Sequence, residues 1–210
     1  TRVCLAKENM NSSCWQKEKD SLLNHVIQVV KEQKGYTWAA ALLFLAGILL
    51  GYAFASELHR LLEPVLKELE RLAEEVRGGG SLALFQTIFI NNLRAALMMV
   101  VLGVFFGLFP VYALLSNGMA IGYLLQGAAQ SGVDPLLLFV LGIVPHGIFE
   151  IPAILLAAAL GMRWGSAVVQ QLLYLFRTKG RLHSGFVTLF RLFPATLLLV
   201  FVLLLTAAAI

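Results

Sequence analysis

The stretch Tyr36-Thr37-Trp38-Ala39-Ala40-Ala41-Leu42-Leu43-Phe44-Leu45-Ala46-Gly47-Ile48-Leu49-Leu50-Gly51-Tyr52-Ala53-Phe54-Ala55 decides what medium this chain folds in. It contains no Asp, Glu, Lys, Arg or His. At about 1.5 Å per residue, a helix of this length covers roughly the 30 Å hydrocarbon layer of a bilayer, with Tyr36 and Trp38 placed as interfacial anchors. Outward from it, further apolar blocks fill Leu82 to Phe109, Val111 to Gln130, Leu136 to Phe176 and Phe193 to Ile210. The 210 residues are 59% apolar and 13% charged, with mean hydropathy +0.82, and the apolar residues come in blocks rather than at the spacing of a soluble core. These blocks carry Gly and Pro and show no ten-residue alternation, which excludes an outer-membrane barrel pattern. The expected fold is an all-α polytopic transmembrane helical bundle.

Charge sets the expected topology. The amino-terminal segment has six bases against four acids, and Arg177, Lys179, Arg181 and Arg191 crowd the segment 177–192 with no acid among them. Both are therefore placed on the cytoplasmic side. An even number of crossings must lie between two cytoplasmic segments, so the block Leu136 to Phe176 crosses an odd number of times. It contains Pro145, Gly147, Pro152, Gly161 and Gly165, too many interruptions for one straight helix. A single broken crossing beside a partly inserted half-helix satisfies both constraints and gives about five crossings, with a multi-pass protein in the cell membrane, amino terminus inside. The net charge of +4 is read as topological, because no Arg/Lys cluster with interleaved aromatics suggests nucleic acid.

Two amphipathic segments flank the first span. In residues 1–35, Leu22, Leu23, Val26, Ile27 and Val30 recur at helical spacing with lysines elsewhere on the wheel, as in a helix lying on a cytoplasmic membrane surface that ends at Gly35. In 57–77, Leu58, Leu61, Leu62, Val65, Leu66, Leu69, Leu72 and Val76 form one stripe, with Glu63/Lys67 and Arg71/Glu75 as i,i+4 pairs opposite. Gly78-Gly79-Gly80 breaks that helix, and six acids against four bases suit an extracytoplasmic place. Its face through Leu58, Leu62, Leu69 and Leu72 is the expected docking surface for a partner or the bilayer.

Small residues recur four apart as Gly47/Gly51, Gly103/Gly107, Gly118/Gly122 and Gly161/Gly165. Each pair lets two helix backbones approach closely, within the chain or in a homo-oligomer.

His146 and Glu150 are the only titratable side chains between Asp134 and Arg163. Ionisable groups inside a bilayer are costly and usually face a bundle interior or a wet cavity. Pro145 and Pro152 lack backbone donors, so carbonyls one turn earlier need other partners, and Gly147 lies between them. Four apart, His146 and Glu150 share a helix face. They form either an ion or proton site in a broken helix or an internal pair that locks the kink. Arg94, beside Asn91 and Asn92, is either the partner of Glu150 across the bundle or a snorkelling side chain. Asn117 is expected to cap or bend helix three, and Arg163 with Trp164 to form an interfacial girdle.

No HExxH, GxSxG, intramembrane Asp pair, GxGxxG or GxxxxGK motif occurs, so neither catalysis nor a cofactor is expected. His25, His59 and His183 stand alone in surface segments. Cys4 and Cys14 lack further thiols or a nearby histidine for a metal site and read as free thiols, so no metal is expected.

Gly118-Met119-Ala120-Ile121-Gly122 and Ile143-Val144-Pro145-His146-Gly147-Ile148-Phe149-Glu150-Ile151-Pro152, followed by Leu160-Gly161, resemble the core motif of the stage II sporulation protein M family. The order of elements is similar too, and the resemblance covers Lys31 to Ile210. It implies a non-enzymatic membrane scaffold. In endospore formers the sporulation member localises two peptidoglycan hydrolases for septal thinning and engulfment. Many relatives belong to organisms that never sporulate, and the Pro-His-Gly-x-x-Glu form here looks closer to those. The expected partners are membrane lipids and peptidoglycan hydrolases or other envelope proteins, with no nucleic acid. The rival expectation is an ion- or proton-coupled transporter using His146 and Glu150.

Overall fold

A computed structural model describes residues 12–57, 63, 67, 71, 81–177 and 184–209. All regular structure among them is helical: α1 (Ser12–Ala53), α2 (Ser81–Leu102), α3 (Leu108–Gln130), the short α4 (Pro135–Leu138), a π turn (Phe139–Ile143), α5 (Val144–Arg177) and α6 (Ser184–Ala208). Four segments are long and apolar enough to cross a membrane: Val30–Ala53, Phe85–Leu102, Leu108–Gln130 and Gly147–Leu175. Phe193–Ala208 is a shorter apolar helix. The chain is an all-α helical bundle.

Three boundaries differ from those read in the sequence. Gly35 does not end a surface helix; α1 runs through it as one 42-residue rod. A glycine inside a helix costs only about 1 kcal/mol relative to alanine, which a packed helix absorbs. The break between α2 and α3 falls at Gly103 to Gly107 rather than at Pro110. Phe106 (φ 59) and Gly107 (φ 73) reverse the chain there. Pro110 instead sits in the first turn of α3, where its missing N–H leaves nothing unsatisfied. Finally, α6 starts at Ser184, so the second half of the basic segment 177–192 is helical, and α6 continues through Pro194.

The plain loop at Ser131 to Pro135 keeps its expected place. Asp134 caps α4, its Oδ1 accepting from the Leu136 N–H at 2.8 Å, with Pro135 in the first turn.

Backbone approach at glycines organises the bundle. A Cβ on Gly47 would lie 2.7 Å from the Leu115 carbonyl and 3.1 Å from the Gly118 Cα, and one on Gly51 would lie 2.7 Å from the Met119 Cα. The pairings advance together along both helices, so α1 and α3 cross in parallel. At a second crossing, Gly103 meets Gly161, Gly161 meets Met99, and Gly165 meets Gly107. Here α2 and α5 run parallel, with the α2–α3 turn wedged on α5. In lipid, where apolar burial does not drive helices together, such close van der Waals packing is the main source of association.

α5 is the central helix. Its Ala153, Ala157, Ala158, Ala159 and Leu160 are all fully buried. One cluster joins Ala153, Leu156, Ala157 and Leu160 to Ala96, Val100, Val200 and Leu204 of α2 and α6. A second joins α5 to Ala40, Phe44, Met99 and Leu114 of α1, α2 and α3.

Candidate functional site

The signature segment opens α5. Val144 donates its N–H to the Phe139 carbonyl, closing a π turn immediately before Pro145. A π turn shifts the helical register by one residue, which accommodates a ring that cannot donate. Pro145 and His146 lie in the first turn of α5, Gly147 is buried, and Pro152 lies two turns in on an exposed face. Glu150 is half-buried and has a partner within the fold.

Arg94 does not pair with Glu150. Among the described residues no ion pair or hydrogen bond reaches it, and its side chain is exposed on α2, while Asn91 and Asn92 are half-buried. The reason lies in helix phase: α2 buries Ala96, Met99, Val100 and Gly103, and Arg94 falls on the other side of the wheel with Ile90, Leu97, Met98 and Val101.

A second polar group, not foreseen from the sequence, lies where α1, α5 and α6 meet. Gln33 and Thr196 are both fully buried, and the Gln33 Nε2 donates to the Thr196 Oγ1 at 2.6 Å. The Gln33 Oε1 has no donor. One turn along α1, Tyr36 and Ser166 hydroxyls lie 2.6 Å apart. Ser166 spends its proton on the Arg163 carbonyl at 2.9 Å, so Tyr36 is the donor. The Arg163 guanidinium donates to the Glu32 carbonyl at 3.2 Å and stands 4.0 Å from the Glu32 carboxylate. Trp164 packs on Phe193, ring centres 5.9 Å apart. Arg163 and Trp164 thus act as side chains that tie α5 to α1 and to α6.

The signal for Gln33 was present. Val30, Gln33, Thr37, Ala40, Phe44, Gly47 and Gly51 follow one helical stripe. A polar residue on an apolar stripe marks a buried polar contact. It was hidden because ending the helix at Gly35 broke the stripe's phase.

The expected docking residues Leu58, Leu62, Leu69 and Leu72 lie outside the described residues. Within that segment Lys67 pairs with Glu63 at 2.7 Å, both exposed, a contact worth about 0.3–0.5 kcal/mol. Asn117 does not cap α3, which runs through it; it is exposed, and its side-chain amide donates back to the Ala113 carbonyl at 2.8 Å. Among the described residues, no group of three or more His, Cys, Asp or Glu side chains could hold a metal ion.

A family model described as Stage II sporulation protein M matches residues 40–210. An uncharacterized protein of Methanocaldococcus jannaschii is 38% identical over 79 residues, which is 38% of this chain and 44% of that protein. The match thus spans less than half the length of that relative. No solved structure matches the chain.

Proposed function

The chain belongs to the stage II sporulation protein M family, and from that membership we propose that it is a multi-pass membrane scaffold of an envelope assembly, with its amino terminus in the cytoplasm. The observation that carries this reading is the way the long helices are braced. α1 and α5 both run well past the level of the α2–α3 turn, α1 toward Ser12 and α5 toward Arg177. At that level Gln33–Thr196, Tyr36–Ser166 and Arg163–Glu32 bind three helices together. Helical arms fixed to a bundle by one buried, one part-buried and one exposed hydrogen bond suit a part that holds other proteins in place. The basic segments at 1–35 and 177–192 support the cytoplasmic placement of that end. The stripe through Leu58, Leu62, Leu69 and Leu72 is then the extracytoplasmic docking surface, and peptidoglycan-remodelling proteins are the partners that the family suggests.

The test is recovery of the protein from its native membranes after cross-linking. Envelope proteins, cell-wall hydrolases among them, should accompany the natural chain and be lost from Leu62→Glu/Leu69→Glu while the bundle stays inserted. Recovery of the chain alone overturns the scaffold reading.

A second reading rests on the π turn before Pro145. π turns within helices frequently mark functional sites, and transporters place ion sites at helix interruptions. Flux of protons or monovalent cations into proteoliposomes, abolished in Glu150→Gln, would carry that reading; the absence of any flux in the natural protein removes it.

A further inference from the structure

We propose that the exposed face of α2 centred on Arg94 docks a transmembrane helix of another protein, one that carries a single Asp or Glu on an otherwise apolar face. This inference rests on the scaffold reading and names the chemistry of one partner.

The span Phe85–Leu102 is 18 residues long. Arg94 is the tenth of them, so at about 1.5 Å per residue it stands roughly 13 Å from either end of the span. A guanidinium at that depth on an isolated helix costs about 2.5–3.5 kcal/mol even on the most lenient scale. Charged side chains at such positions normally face a bundle interior and pair there. Arg94 faces outward and has no partner among the described residues: its neighbours on the wheel, Ile90 at 60% and Val101 at 60% exposure, with Leu97 and Met98, look away from the bundle. Together with Leu93, Leu102 and the aliphatic stem of Arg94 they line a shallow apolar groove, and Arg94 is the one charged residue in that lining.

Three kinds of occupant could neutralise it. A lipid phosphate sits at the edge of the bilayer, and Arg94 is at the greatest distance from both edges. A second copy meeting this face by two-fold symmetry brings Arg94 against Arg94, a like-charge contact. The chain's own intramembrane acid, Glu150, already has a partner inside the fold. A different helix with one carboxylate satisfies the charge, and the surrounding Ile, Leu, Met and Val side chains give it an apolar seat. Charge at membrane depth makes such a contact specific, since a helix without the acid leaves the guanidinium unpaired.

The experiment places a photo-crosslinking amino acid at Leu97 or Met98 of the full chain in its native membranes. The expected result is one discrete protein adduct, reduced at least tenfold in Arg94→Leu and retained in Arg94→Lys. The adduct's partner must have an intramembrane Asp or Glu whose change to Asn or Gln gives the same tenfold loss. Arg94→Gln replaces Arg94→Leu if the latter fails to insert. An adduct of two copies of this chain, adducts to lipid alone, or a protein adduct indifferent to Arg94 each overturns the proposal. If lipid adducts are found while envelope proteins still co-purify through the 57–77 segment, this inference fails and the scaffold reading stands. If neither is found, both fail.

Discussion

The side-chain amide of Gln33 donates to the hydroxyl of Thr196 at 2.6 Å, inside the bundle and across 163 positions of sequence. Both residues are wholly buried, and the second amide atom of Gln33, its Oε1, is left without a donor. The contact is thus favourable on one side and costly on the other. An unmet buried acceptor costs about 1–3 kcal/mol, comparable to what the bond itself contributes.

That asymmetry predicts unequal effects from the two partners. Gln33→Met removes the bond and the orphan oxygen together and should change stability by less than about 1 kcal/mol. Thr196→Val leaves both polar ends of Gln33 unpaired and should cost about 1–3 kcal/mol. The double variant should be more stable than Thr196→Val alone. Unfolding midpoints in detergent decide it, and equal losses from the two single variants would exclude the orphan oxygen as a source of cost.

The fold class was legible because the lengths of the apolar blocks match helices long enough to cross a bilayer. Tyr36 to Ala53 falls in a helix long and apolar enough to cross a membrane, and a π turn stands immediately before Pro145, a residue that cannot donate; the further interruptions expected at Pro152, Gly161 and Gly165 are absent, because α5 runs unbroken through all three. Boundaries were less legible, because they depend on contacts that no local pattern displays. Gly35 looks like a stop in isolation and is passed over because α1 is held on both sides of it, at Glu32–Gln33 and at Tyr36. Arg94 and Glu150 invited pairing as lone opposite charges, yet the phase of Ala96, Met99 and Val100 turns Arg94 outward. Which face of α2 packs inward is set by Gly103 meeting Gly161, a relation between residues far apart in the chain.

Two glycines of α1, one in mid-helix and one near its carboxyl end, should respond in opposite directions to the same substitution. At Gly35 an added Cβ meets nothing within 4 Å, so Gly35→Ala should stabilise by about 0.5–1 kcal/mol through helix propensity alone. At Gly51 it would sit 2.7 Å from the Met119 Cα, against backbone that cannot rotate away. Gly51→Ala should separate α1 from α3 and cost at least about 1–3 kcal/mol. The check is the sign of the shift in unfolding midpoint for each variant.

The turn between α2 and α3 should discriminate among side chains at Gly107. Its φ of 73 is a left-handed conformation that costs most L-residues about 1–2 kcal/mol, and Asn less than others. Gly107→Asn should therefore retain more stability than Gly107→Val, whose branched Cβ would also press on the Met162 Cα at 3.3 Å. Equal destabilisation by Asn and Val would mean that contact with α5, not φ, governs the position.

Beyond the end of α1, acidity should loosen one local contact. Ser56 Oγ donates to the Glu57 carboxylate at 2.7 Å, and this bond, then the residue's own backbone N–H, hold the Glu57 carboxyl below its ordinary range. A depressed carboxyl contributes stability that is present above its unfolded value and lost as pH falls through the folded one. The group is fully exposed, so the effect is confined to the local turn. In a carboxyl carbon NMR titration Ser56→Ala should move the Glu57 midpoint upward, because the alanine has no hydroxyl to favour the ionised form. A midpoint that stays in place assigns the depression to the backbone instead. The hydroxyl then plays no part in how the chain leaves α1 for the segment that carries Leu58, Leu62 and Leu69.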